Sequence, residues 1–111
     1  MKQFCLACDL TDDESHIKAY DDYHKNVWPE IKDSLQQAGI LDMEIYRTGN
    51  RLFMIIKTGQ DFSFEKKAIM DNANPIVQQW ESLMSGFQKQ IPWAAPDVKW
   101  VVMDRIFKFE V

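Results

Sequence analysis

Two stretches of this chain are apolar on both of their alternating faces, and no other feature narrows the possible folds as much. Within residues 51–57, Leu52, Met54 and Ile56 point one way while Phe53 and Ile55 point the other. Near the end, Val101, Met103, Phe107 and Phe109 alternate with Trp100, Val102 and Ile106. Successive side chains of a strand project to opposite faces, so a sheet built from these strands is apolar on both sides. An antiparallel sheet with one wet face alternates apolar with polar instead. With 111 residues the chain supplies helices for one face only. The second face is therefore expected to pack on another copy, giving a homodimer.

The rest of the pattern sets the element order. Residues 3–10 read as a strand. Thr11-Asp12-Asp13-Glu14 has the form of a capping box and starts a helix expected over residues 12–25. Pro29 suits the first position of a second helix, 29–38, and Gly39 is its left-handed stop. A strand over 41–46, a Gly49-Asn50 hairpin and a returning strand over 51–57 follow. Residues 64–70 look helical. Asn74-Pro75 opens another helix, with Ile76, Val77, Trp80, Leu83, Met84 and Phe87 at helical spacing. A loop punctuated by Pro92 and Pro96 leads to a last strand expected over 100–109. Strand, helix, strand–strand, helix, strand is the order of a ferredoxin-like α+β fold, an antiparallel sheet with helices on one face. Residues 1–111 are expected to form one domain.

Composition removes several classes of function. The net charge is −4 with no basic cluster, which argues against a nucleic-acid partner. No apolar run approaches the ~20 residues that cross a bilayer, and the N-terminus lacks a signal-peptide pattern. No membrane association and a cytoplasmic location are the expectations. Cys5 and Cys8 spell C-x-x-C, yet in a strand residues three apart face opposite ways, so the sulfurs diverge. There is no second such pair, and His16 and His24 lack a metal-ligand spacing. Two small buried thiols are expected, with neither metal nor cofactor.

Candidate chemistry gathers at Tyr20 and His24, which sit one helical turn apart on a face shared with Ile17 and Val27. A phenol and an imidazole pointing inward from an apolar stripe suit acid/base work near neutral pH. Trp28 reads as an anchor of the helix junction, Glu30 as a favourable charge at a helix start. The pair Asp21-Asp22 reads as a solvated face, and His16 as exposed and inert.

The pattern Tyr20-x-x-x-His24-x-x-x-Trp28-Pro29-Glu30 resembles the L-rhamnose mutarotase family, as do Glu44-Ile45-Tyr46, the Asn50-Arg51-Leu52-Phe53 hairpin, Val77-Gln78-Gln79-Trp80 and Met103-Asp104-Arg105-Ile106-Phe107. The resemblance covers essentially the whole chain. It implies a dimeric α/β barrel that interconverts the α and β anomers of a 6-deoxy sugar, L-rhamnose or L-fucose, without metal or cofactor. It also implies that His24 is the catalytic residue, and that Tyr20, Trp80 and the position after Trp80 shape the sugar site. That last position departs from the rhamnose-type pattern: Glu81 stands where a second tryptophan is usual. A carboxylate offers acceptors and charge where an indole offers a flat wall and one donor, so the substrate is open. The partner acid or base is also open among Glu44, Glu81 and Asp104. The same fold class houses dimeric monooxygenases of the antibiotic-biosynthesis and haem-degrading type, and a sugar-binding module without turnover is a third reading.

Overall fold

The computed structural model describes residues 1–111, and its organising element is the strand β1 (Lys2–Leu10). Along one side β1 pairs antiparallel with β3 (Arg51–Thr58), which in turn pairs with the edge strand β2 (Ile40–Thr48). Along its other side β1 receives two short strands, β4 (Gln88–Lys89) and β5 (Val101–Val102). The helices are α1 (Glu14–His24), α2 (Pro29–Gln37), α3 (Phe64–Asn72) and α4 (Pro75–Ser85). The expected ferredoxin-like α+β arrangement is what forms. No helix is long and apolar enough to cross a membrane.

Alternation decides which residues meet the helices. Leu6, Cys8 and Leu10 of β1 and Leu52 and Ile56 of β3 lie on the helix face, and all are buried. One core cluster joins Cys8, Leu10 and Leu52 to Tyr20 of α1 and Met84 of α4. A second joins Leu6, Ile40, Ile56 and Phe62. On the opposite face Cys5, Ala7, Phe53 and Ile55 are only half-buried, and Tyr46 is 53 % exposed. This is the second apolar face anticipated from the pattern.

Local signals hold in most places. Gly39 and Gly49 take positive φ (94° and 55°), the first ending α2's turn and the second opening a two-residue hairpin. Asn74 caps α4 by accepting from the backbone N–H of Ile76 and Val77. At α1 the cap is Asp13, not Thr11: its carboxylate accepts from the N–H of Ser15 and His16, so the helix starts at Glu14 and closes at His24. Thr11 is thereby freed to pair its hydroxyl with His16 Nδ1 at 2.7 Å. His16 is half-buried, edge-on to Phe87 at 5.8 Å, rather than exposed and idle.

The last strand is much shorter than its pattern suggests. Regular pairing covers Val101–Val102, with one further bond from Met103 N–H to the Cys5 carbonyl at 2.8 Å. Continuing that register would set Ile106 opposite Lys2, where β1 begins, so later residues have no neighbour within one chain. Ile106, Phe107 and Phe109 are 96 %, 78 % and 74 % exposed.

Both cysteines are free thiols, on opposite faces of β1. Burial, then the neighbouring Asp9 carboxylate, pushes the Cys8 thiol up to about 12. In the unfolded chain it ionises near its ordinary 9.0, so the unfolded state sheds its proton first and stability falls as pH rises beyond that value. Native protein is expected to release at most one thiol equivalent to Ellman's reagent at pH 8, and both in guanidinium. Rapid reaction of both in the folded protein would contradict the burial of Cys8.

Candidate active site

Tyr20 and His24 project from the inner face of α1, and their rings stack with centroids 4.3 Å apart at 31°. Tyr20 is 3 % exposed. Burial raises its phenol well above the ordinary range, an effect opposed in part by the nearby Gln88 side chain. At neutral pH it is therefore an O–H group and not a phenolate. It can donate and orient, but it is no base.

His24 closes the helix, half-buried. Its Nδ1 lies 2.8 Å from the backbone carbonyl of Tyr20. A carbonyl oxygen only accepts, so Nδ1 carries the hydrogen and Nε2 presents a free lone pair. The backbone thus selects the tautomer in which Nε2 is the basic atom.

Aromatic rings from two helices, the α1–α2 junction and the segment after α4 frame this histidine. Trp80 of α4 meets it edge-on at 5.6 Å, and Trp28, from the junction before α2, meets Trp80 at 5.0 Å. Tyr23 closes the group, 6.5 Å from Trp80 and 5.9 Å from Phe87. Trp28 therefore does brace the helix junction, and it does so against Trp80.

Beside His24 opens a cavity of about 200 Å³. Tyr20, Ile45 and Leu52 give it an apolar floor; Asp21, Lys25 and Arg47 share its wall with His24. Arg47 reaches from β2 to grip Asp21 with two bonds, Nε to Oδ1 at 2.9 Å and Nη2 to Oδ2 at 2.7 Å. The reading of Asp21-Asp22 as a solvated face is thus half right: Asp22 is exposed and paired with Lys18 and Lys25, whereas Asp21 is partly buried in the wall. Neither Asp21 nor Arg47 stood out in the sequence. The one available sign was a charged residue, Arg47, on the inward-facing register of β2 after Met43 and Ile45.

The other proposed residues are placed elsewhere. Trp80 touches His24 but is one contact removed from the cavity. Glu81 turns toward α3, its carboxyl 3.4 Å from Gln78 Nε2 and pushed upward by burial and then by Asp71. Glu44 lies on the far face of the sheet, accepting from the Tyr46 hydroxyl at 2.6 Å. Asp104 lines a separate hollow with Cys5 and Phe53 on that same far face. None of these three carboxylates reaches the cavity beside His24; the carboxylate there is Asp21. No group of three His, Cys, Asp or Glu side chains is arranged to hold a metal ion.

Fold and site together define a small ferredoxin-like α+β domain with a histidine, held in one tautomer by its own helix, lining a cavity of about 200 Å³. Comparison with known proteins makes the class specific. Residues 3–109 match the family described as L-rhamnose mutarotase. An L-fucose mutarotase of Xanthomonas campestris is 45 % identical over 109 residues, covering 96 % of this chain and 87 % of that protein. An L-rhamnose mutarotase of Phocaeicola vulgatus is 35 % identical over 71 % of this chain and 74 % of its own. In fold, the crystal structure of an L-rhamnose mutarotase from Formosa agariphila superposes with a TM-score of 0.72 at 22 % identity, covering 99 % of this chain and 100 % of that one. The chain belongs to the L-rhamnose mutarotase family, isomerases that act on sugar anomers.

Proposed function

We propose that the protein interconverts the α and β anomers of a 6-deoxy-L-hexose, with L-fucose preferred and His24 as the acid/base. The observation that carries the chemistry is the bond from His24 Nδ1–H to the Tyr20 carbonyl, which leaves Nε2 as the unpartnered basic atom of a residue that lines the cavity. Nε2 takes the proton from the anomeric hydroxyl as the bond from C1 to the ring oxygen breaks and C1 becomes a carbonyl. The imidazolium returns that proton to the ring oxygen. Rotation about C1–C2 presents the other carbonyl face, and the same steps in reverse close the ring. Proton and bonds balance without a second acid or base. His24 occupies the last turn of α1, where unpaired carbonyls favour the transient positive charge.

Tyr20, fixed as a neutral phenol, and Trp80, edge-on to the imidazole, hold His24 in register with the sugar. Support for L-fucose is the name of the 45 %-identical relative, against the rhamnose name of the 35 %-identical one. Polarimetry on freshly dissolved anomers tests the preference: L-fucose should reach equilibrium rotation faster per mole of enzyme than L-rhamnose. Faster approach with L-rhamnose would reverse the substrate assignment.

The active form is a homodimer on this reading, joined through the half-buried outer face and the apolar residues after Met103. Sedimentation at micromolar concentration should give twice 13.1 kDa. Truncation after Met103 should shift it to the single-chain mass. An intact chain that sediments at 13.1 kDa would remove the dimer. Residues 1–111 act as one unit, since both core clusters share one sheet. Free thiols at Cys5 and Cys8 fit the reducing cytoplasm.

A further inference from the structure

Asp21 and Arg47 form more of a fixture than an ordinary surface ion pair. Arg47 is held by three bonds, the two to Asp21 and a third from Nη1 to the Gly49 carbonyl at 2.8 Å. The side chains remain 32 % and 40 % exposed. A pair so exposed adds little to stability, while three bonds immobilise a long side chain. As a tie between α1 and β2 the arrangement gains little. As part of a site it gains much, because it stands in the wall of the cavity that His24 lines.

We propose that the Asp21–Arg47 pair reads the ring hydroxyls of the sugar and sets the preference among 6-deoxy-L-hexoses. The inference rests on the mutarotase reading of this cavity. The remaining guanidinium donors and the spare carboxylate lone pairs form adjacent donors and acceptors in one fixed plane. Neighbouring hydroxyls of a pyranose offer the complementary pattern, one accepting and one donating. Ile45 and Leu52 supply the apolar floor that suits the C6 methyl. L-Fucose and L-rhamnose share that methyl and differ in hydroxyl orientation, so a rigid polar wall is where they would be told apart. A hydroxyl turned the wrong way leaves a charged group unpaired, the kind of loss that discriminates most strongly.

The test compares wild type, Asp21→Asn, Arg47→Met and the exchanged pair Asp21→Arg/Arg47→Asp on both sugars. Circular dichroism establishes folding, NMR titration gives sugar affinity, and anomeric exchange gives turnover. In the single variants KM and Kd for the preferred sugar should rise by about tenfold or more, as expected when a hydrogen bond to a charged group is lost. Their kcat should stay within about threefold, and the ratio of kcat/KM between the two sugars should move toward unity. A merely structural tie predicts lower melting temperature with affinity and sugar ratio unchanged, and that result overturns the proposal. So does a fall in kcat at constant KM, which would place the pair behind His24 and not against the sugar. Wild type that accelerates neither sugar would overturn the mutarotase reading itself, and it is recognised before any variant is compared.

Discussion

Replacing His24 with alanine is expected to lower kcat/KM for mutarotation by about 10²–10⁴-fold, the usual contribution of a positioned acid/base. The fold should survive, because the side chain is half-buried and its one hydrogen bond runs to the carbonyl of its own helix. His24→Gln sharpens the test. Glutamine retains much of the volume and can still donate to the Tyr20 carbonyl, but it supplies no base. Both variants should therefore lose turnover while their circular dichroism matches wild type. A folded His24→Ala protein with wild-type rates in polarimetry would remove His24 from the chemistry.

Leu52→Ala should produce the largest loss of stability, about 2–5 kcal/mol. Leu52 is 1 % exposed and belongs to the core cluster of Cys8, Leu10, Tyr20 and Met84. Domains of this kind are stable by only ~5–15 kcal/mol in total. The Tm should accordingly fall by about 8–40 °C, at roughly 4–8 °C per kcal/mol for a domain near this size. Leu52 is also part of the cavity floor under Tyr20. Below the melting transition the variant should bind sugar more weakly, since the floor recedes and Tyr20 loses a support. A fall in Tm of only a few degrees would mean that β3 is not packed under α1 as described.

The parts of this fold that were legible in the sequence are those where a local rule meets no competitor. Pro29 at the start of α2, Asn74-Pro75 at the start of α4, and Gly49 at the hairpin each have a backbone reason to be where they are. At α1 two capping residues competed, and Asp13, whose carboxylate reaches two N–H groups, displaced Thr11. The final strand misled for a different reason. Its alternation through Phe109 is real, but regular pairing stops at Val102, and beyond Ile106 the register runs past the first residue of β1, Lys2. Alternation reports what a segment is able to pair with, not whether one chain provides it.

At the site, the Tyr20–His24 spacing placed both rings on one helical face, as i and i+4 must. The cavity's polar wall was invisible, because Asp21 and Arg47 are 26 residues apart and meet only when β2 folds back beside α1. The carboxylates Glu44 and Asp104 were attractive by type alone. The parity of β2 sends Glu44 to the far face, and Asp104 follows Met103 along that side.

Saturation-exchange NMR of the anomeric protons of L-fucose and L-rhamnose, at equilibrium and with catalytic amounts of wild-type protein, tests the central claim most directly. The expected result is transfer of saturation between the α and β signals that grows with enzyme concentration and is larger for L-fucose. Exchange at the uncatalysed rate for both sugars would contradict the account.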